Sequence, residues 1–142
     1  MVRITNILHV DDDEIDIMTV RRGFAKSKST SALFHAEDGL IALEMLRAGT
    51  VPRARRIVLL DVNMPRMSGM EFLKELREDP TLHDTPVIIL TTSEEERDRA
   101  RAYALHVAGY HVKPTGFAAF VELLTTLDHY WELAEMPGAL TS

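Results

Sequence analysis

The 142-residue sequence contains no cysteine, which excludes disulfide frameworks and thiolate chemistry. It also lacks long apolar runs, and none approaches the roughly 20 residues that a membrane-spanning helix needs. The opening residues "MVRITNILHV" turn acidic too soon to form a secretory leader. Positive charge is scarce. With 16 Lys and Arg against 22 Asp and Glu, the formal net charge is −6. The densest basic run, Arg53 to Arg56, holds only three arginines, so nothing resembles a nucleic-acid footprint. No internal repeat or low-complexity tract appears. These absences leave a cytoplasmic protein with neither membrane nor nucleic acid as partner. At 46% apolar residues, the chain is long enough to bury one real core.

What is present is an alternation of short apolar runs with longer amphipathic ones. The strand candidates are Ile4–Val10, Ala32–Ala36, Arg56–Leu60, Pro86–Thr91 and Gly109–Val112. Helical patterns fall at about Glu14–Lys26, Leu40–Ala48, Gly69–Glu78, Glu94–His106 and Phe117–Glu135. Five β-then-α units favour an α/β fold, a parallel sheet with helices on both faces. "SGME" from Ser68 and "SEEE" from Ser93 read as capping boxes, Asp38 as a helix cap and Gly49 as a helix end. Pro80 and Pro137-Gly138 read as stops. The expected organisation is a single domain over 1–136, with an extended last helix over about 116–135, a short tail over 137–142 and no output domain.

In an open parallel sheet, the functional site lies at the carboxyl ends of the strands. There the sequence delivers Asp11, Asp12 and Asp13, then Asp61, then Thr91 and Thr92, then Lys113. Neighbouring acids repel by about 4 kcal/mol per pair at 4 Å near a surface. One must therefore be protonated, or a cation must sit among them. A hard divalent ion such as Mg²⁺ (or Mn²⁺) suits an all-oxygen site of this kind. Either Asp12 or Asp13 could instead cap the first helix. Metal, acid, hydroxyl and ammonium together suit phosphoryl transfer, in which a carboxylate can serve as nucleophile. Asp61, on the central strand, is the best candidate for that role.

Four segments, "ILHVDDD", "VLLDVNMP", "VIILTTS" and "GYHVKP", resemble the response-regulator receiver domain of two-component signalling. Thirty residues separate Asp61 from Thr91, and 22 separate Thr91 from Lys113, as in that family. The resemblance covers about Ile4 to Leu127 and implies a flavodoxin-like, doubly wound five-stranded sheet of order 2-1-3-4-5. By the same resemblance, Asp61 accepts a phosphoryl group from a sensor histidine kinase. Asp12, Asp61 and the backbone carbonyl of Asn63 hold Mg²⁺, and Asp11 acts on it through water. Thr91 and Lys113 contact the phosphoryl oxygens, Thr91 and Tyr110 form the switch, and Asn63 and Ser93 occupy the positions that tune dephosphorylation. "LTTS", "AGYHVKP" and "DHYWELAEMP" are most similar to the stand-alone regulators of bacterial phytochrome kinases, which makes a bacteriophytochrome the expected partner. His9 and His111 stand where the family more often has aliphatic residues, and both read as packing residues.

Phe117, Phe120, Val121, Leu124, Leu127 and Trp131 follow helical spacing. A helix to Glu135 would run about 28 Å and overhang the sheet with Tyr130, Trp131, Leu133 and Met136. Phe120, Leu124, Tyr130 and Trp131 are the candidates for a homodimer contact. The alternative is that this end folds back over its own domain. With no second domain, the signal would leave by contacts of the receiver with a downstream protein. Two rival functions remain: a phosphorylation-independent dimeric adaptor, and a small Mg²⁺-dependent phosphatase. The phosphatase would want an acid at position 63, where Asn63 stands, so a turnover enzyme is not expected.

Overall fold

The short apolar runs line up side by side. A computed structural model of the chain describes residues 4–136. Strands β1 (Asn6–Val10), β2 (Ala32–Ala36), β3 (Arg56–Leu60), β4 (Val87–Thr91) and β5 (Gly109–Val112) form one sheet of order β2-β1-β3-β4-β5. Every pairing is parallel, with Val10 level with Ala36 on one side and Leu60 on the other. This is the expected flavodoxin-like arrangement. The three central strands, β1, β3 and β4, are buried along their whole length, whereas the edge strand β2 is only partly covered. That is why their sequences are mostly apolar rather than alternating, with Asn6, His9, Arg56 and Thr91 as the buried polar exceptions.

Helices α1 (Glu14–Lys26), α2 (Gly39–Ala48), α3 (Gly69–Glu78), α4 (Glu96–Ala104) and α5 (Phe117–Leu133) connect the strands. The core divides into two layers. One is built on Leu8, Val58, Leu60, Phe72, Leu73 and Ile89, and the other on Ile7, Leu59, Leu90, Phe24, Leu124 and Trp131. The second layer lies between the sheet and the α1–α5 pair. Gly23 of α1 lets the two helices close up, since a Cβ there would stand 2.8 Å from Leu124 Cδ1.

Local chemistry sets most helix ends. The Asp13 carboxylate accepts from the amides of Ile15 and Asp16, and Asp38 accepts from Ile41. Ser68 and Glu71 complete a reciprocal capping box, and Gly49 closes α2 with φ 74°. The second expected box is absent. The α4 helix starts at Glu96 behind Glu95, which makes no side-chain cap. Ser93 lies outside the helix, with its hydroxyl donating to Asp98 at 2.7 Å. The proposed stop at Pro137-Gly138 and the 137–142 tail lie outside the described residues.

The last helix requires a correction. It ends at Leu133, and the residues offered to a partner are largely committed inside the domain. Phe120 is 5% exposed, and Leu124 and Trp131 are fully buried, so none of the three forms an outer surface. The Trp131 ring lies 6.1 Å from Phe24 of α1, and its Nε1 donates to Asp128 at 2.8 Å. Arg55, from the α2–β3 connection, donates to the carbonyls of Trp131 and Ala134, and Met136 packs onto the same layer. The described residues up to Met136 therefore pack against their own domain, leaving Tyr130 and Leu133 exposed.

Candidate functional site

The carboxyl ends of β1, β3, β4 and β5 converge at one rim of the sheet. Backbone bonds from Asp11 to Ala36, from Asp61 to Val10 and from Lys113 to Thr91 carry the strand register into this rim. The side chains that follow each strand consequently share one mouth. Gly69 is essential to this closure. Its amide donates to the Val62 carbonyl at 2.9 Å, and a Cβ would lie 2.2 Å from the backbone oxygen of Asp61. Only glycine lets α3 begin this close to the end of β3.

Asp11, Asp12 and Asp61 each bring a carboxylate oxygen within 4.8 Å of the others. Asp11 and Asp61 are buried and Asp12 is exposed at the lip. Lys113 enters from the β5 end, with Nζ 2.9 Å from Asp11 Oδ2, 2.6 Å from Asp16 Oδ2 and 3.8 Å from Asp61 Oδ2. Thr91 is fully buried beside Asp61, and its hydroxyl accepts from the Ser93 amide at 3.3 Å. The Tyr110 hydroxyl donates to the Ser93 carbonyl at 3.0 Å, holding the β4–α4 connection against β5. Asn63 is exposed just beyond β3.

The acids do not share one electrostatic environment. Burial pushes the Asp61 carboxyl up to about 6; the Lys113 ammonium opposes this, and the Asp11 charge adds to it. For Asp11, burial is overcome by a hydrogen bond from His9 and by Lys113, and its pKa falls to about 2. Burial likewise disfavours the Lys113 charge, but Asp11, Asp16 and Asp61 reverse that and raise its pKa. Asp61 is the acid left under-satisfied. Its Oδ1 is buried with no hydrogen-bond partner among the described residues. A buried carboxylate with an orphaned oxygen, clustered with two other acids, fits a hard divalent cation with oxygen ligands.

Some residues of this site were not apparent from sequence. His9 is not mere packing: it is buried, with Nε2 3.5 Å from Asp11 Oδ2, and His35 Nε2 lies 2.9 Å from the Asp11 carbonyl. Asp16 holds the shortest contact to Lys113. The available signal for Asp16 was its place in the first turn of α1, three residues after the Asp13 cap that follows β1.

Fold and rim together define a receiver domain, and the chain belongs to the response regulator receiver domain family, whose profile matches residues 7–125. Among curated proteins it is 32% identical to response regulator Rcp1 of Synechocystis, over 94% of this chain and 93% of that one. The Mn²⁺-bound crystal structure of Rcp1 has a TM-score of 0.82 at 31% identity, covering 96% of this chain and 99% of the other. The phosphorylated cyanobacterial phytochrome response regulator RcpA also has a TM-score of 0.82, at 30% identity, covering 94% and 99% respectively. A response regulator in red light signalling of R. palustris has a TM-score of 0.83 at 31% identity, over 94% of this chain and 99% of the other. The narrower resemblance to phytochrome response regulators is thus met as well.

Proposed function

We propose that this chain is a single-domain response regulator that accepts a phosphoryl group on Asp61 from a sensor histidine kinase, with a bacteriophytochrome as the partner. The observation that carries the reading is the buried Asp61 carboxylate, with Oδ1 unpartnered among the described residues and Oδ2 3.8 Å from Lys113, grouped with Asp11 and Asp12. The likeness to phytochrome response regulators supports the choice of kinase. Asp12, Asp61 and the Asn63 carbonyl would hold Mg²⁺ or Mn²⁺, with Asp11 acting through water. Bound there, the ion supplies charge neutralisation for phosphoryl transfer.

In the transfer, an Asp61 carboxylate oxygen attacks phosphorus, forming a P–O bond as the P–N bond to the kinase imidazole breaks. The electron pair leaves with the imidazole nitrogen. Lys113 and Thr91 receive the phosphoryl oxygens, and catalysis is positioning plus charge compensation. Thr91 is drawn toward the new charge, and Tyr110 follows through its bond to Ser93. The readout is the face formed by α4, β5 and α5, where Tyr103, Val112 and Tyr130 are exposed. That face binds a second copy of the chain or a downstream protein. Asn63 and Ser93 flank the site and tune the return to the free carboxylate. The reaction is one phosphotransfer followed by self-dephosphorylation in the cytoplasm, not turnover of a small substrate.

The test is phosphotransfer from a panel of the host's histidine kinases, bacteriophytochrome included. Acid-labile label should appear on the native chain and vanish in Asp61→Asn while the fold persists. Label surviving in that variant would overturn the assignment. Sedimentation with and without beryllofluoride reports the readout, and unchanged mass and shape would count against a phosphorylation-linked dimer.

A further inference from the structure

Lys113 is the cation expected to meet the phosphoryl group, yet its shortest contact is to a carboxylate with no assigned part in the reaction. Its Nζ lies 2.6 Å from Asp16 Oδ2, against 3.8 Å from Asp61 Oδ2. Asp16 sits in the first turn of α1, with its amide bound to Asp13 at 3.2 Å, so its backbone is anchored. Its side chain is 20% exposed and Lys113 is 5% exposed, which places the pair in a poorly screened setting. The pair borders a cleft of about 380 Å³ between α1 and the β5–α5 connection.

The charge balance of the rim gives this contact a direction. Asp11, Asp12 and Asp61 together with Lys113 leave an excess that one divalent cation cancels. Asp16 adds a negative charge beyond that balance and occupies one of the three ammonium donors. An arriving phosphoryl group carries close to two further negative charges. It meets a lysine already engaged and a pocket already over-supplied with anions.

Resting on the receiver reading above, we propose that Asp16 is a positioning residue that sets the phosphorylation threshold by holding Lys113 in the unphosphorylated state. It acts through Lys113 and touches neither metal nor phosphorus. Neutralising it favours the anion and disfavours the cation.

The experiment titrates beryllofluoride at saturating Mg²⁺, and Mg²⁺ alone, into the full chain and into Asp16→Asn, Asp16→Ser and Asp16→Glu. The two neutral variants should bind beryllofluoride about fivefold more tightly, the equivalent of one modest ion pair, and bind Mg²⁺ no more tightly than the native chain. Asp16→Glu, which restores the charge, should return toward native affinity. A merely structural loss would weaken both ligands together. Unchanged or weaker beryllofluoride binding in whichever neutral variant folds would overturn the inference. Absence of beryllofluoride binding by the native chain would instead overturn the receiver reading.

Discussion

Helices α1 and α4 both begin at the functional rim, yet they are held in opposite ways. The α1 helix has a side-chain cap from Asp13 and buries Val20, Gly23 and Phe24 against α5 and the sheet. The α4 helix has no side-chain cap and buries only Ala102. It is tethered by its ends. Ser93 reaches Asp98 at the start, while at the far end the Arg77 guanidinium donates to the carbonyls of Leu105 at 2.7 Å and His106 at 3.0 Å. The same guanidinium donates to His83 and Thr85, which locks the α3–β4 connection to the end of α4. A helix secured by a buried stripe resists displacement along its whole length, whereas one secured at its tips can be repositioned by altering one tip. On the proposed function, a phosphoryl signal would pass through Thr91 and Ser93, which are joined by a hydrogen bond, to the tip of the weakly packed helix.

The firmly packed half depends most on Trp131. Replacing this fully buried ring by alanine opens a cavity under the α1–α5 pair, and a loss of about 3–5 kcal/mol in urea unfolding is expected. A loss under 1 kcal/mol would mean that the firmly packed half is not firm. Next is Gly69→Ala, where the added methyl meets the Asp61 backbone rather than a pliable side chain. About 2–3 kcal/mol should be lost, together with Mg²⁺ affinity, because the mouth itself must shift. The matched change in the packed half, Gly23→Ala, meets only the tip of Leu124 and should cost less and spare the metal.

Arg77→Met sharpens the contrast from the other side. Global stability should fall by about 1–2 kcal/mol, while amide exchange across Glu96–Ala104 accelerates far more than across α1. Equal acceleration in both helices would erase the distinction. The smallest effect concerns Asp38, the α2 cap. Its burial favours the neutral acid, but the Ile41 amide and Arg66 outweigh this and lower its pKa. A depressed folded-state pKa contributes stability above the unfolded value of about 3.9, lost as pH falls through the folded value. Melting followed from pH 7 to 3 should therefore show Asp38→Asn converging with the native chain in acid, from a neutral-pH gap under about 1 kcal/mol.

Sequence alone determined the strands, because each is a short, mostly apolar run between amphipathic ones, and β2, β3 and β5 end where the pattern ends. It also determined the acids, hydroxyl and ammonium at the rim, since parallel topology sends every strand end to the same edge. The capping box at Ser68 was legible for the same local reason, whereas that at Ser93 failed because its hydroxyl found Asp98 instead. Tertiary structure alone decided which face of a helix would be covered. Helical spacing marks an apolar stripe but does not say whether the partner is another molecule or, as for Trp131, the chain's own α1. It likewise decided that Lys113 would meet Asp16, because 97 residues of chain separate them and only the closing of α1 over the β5 end brings them within reach.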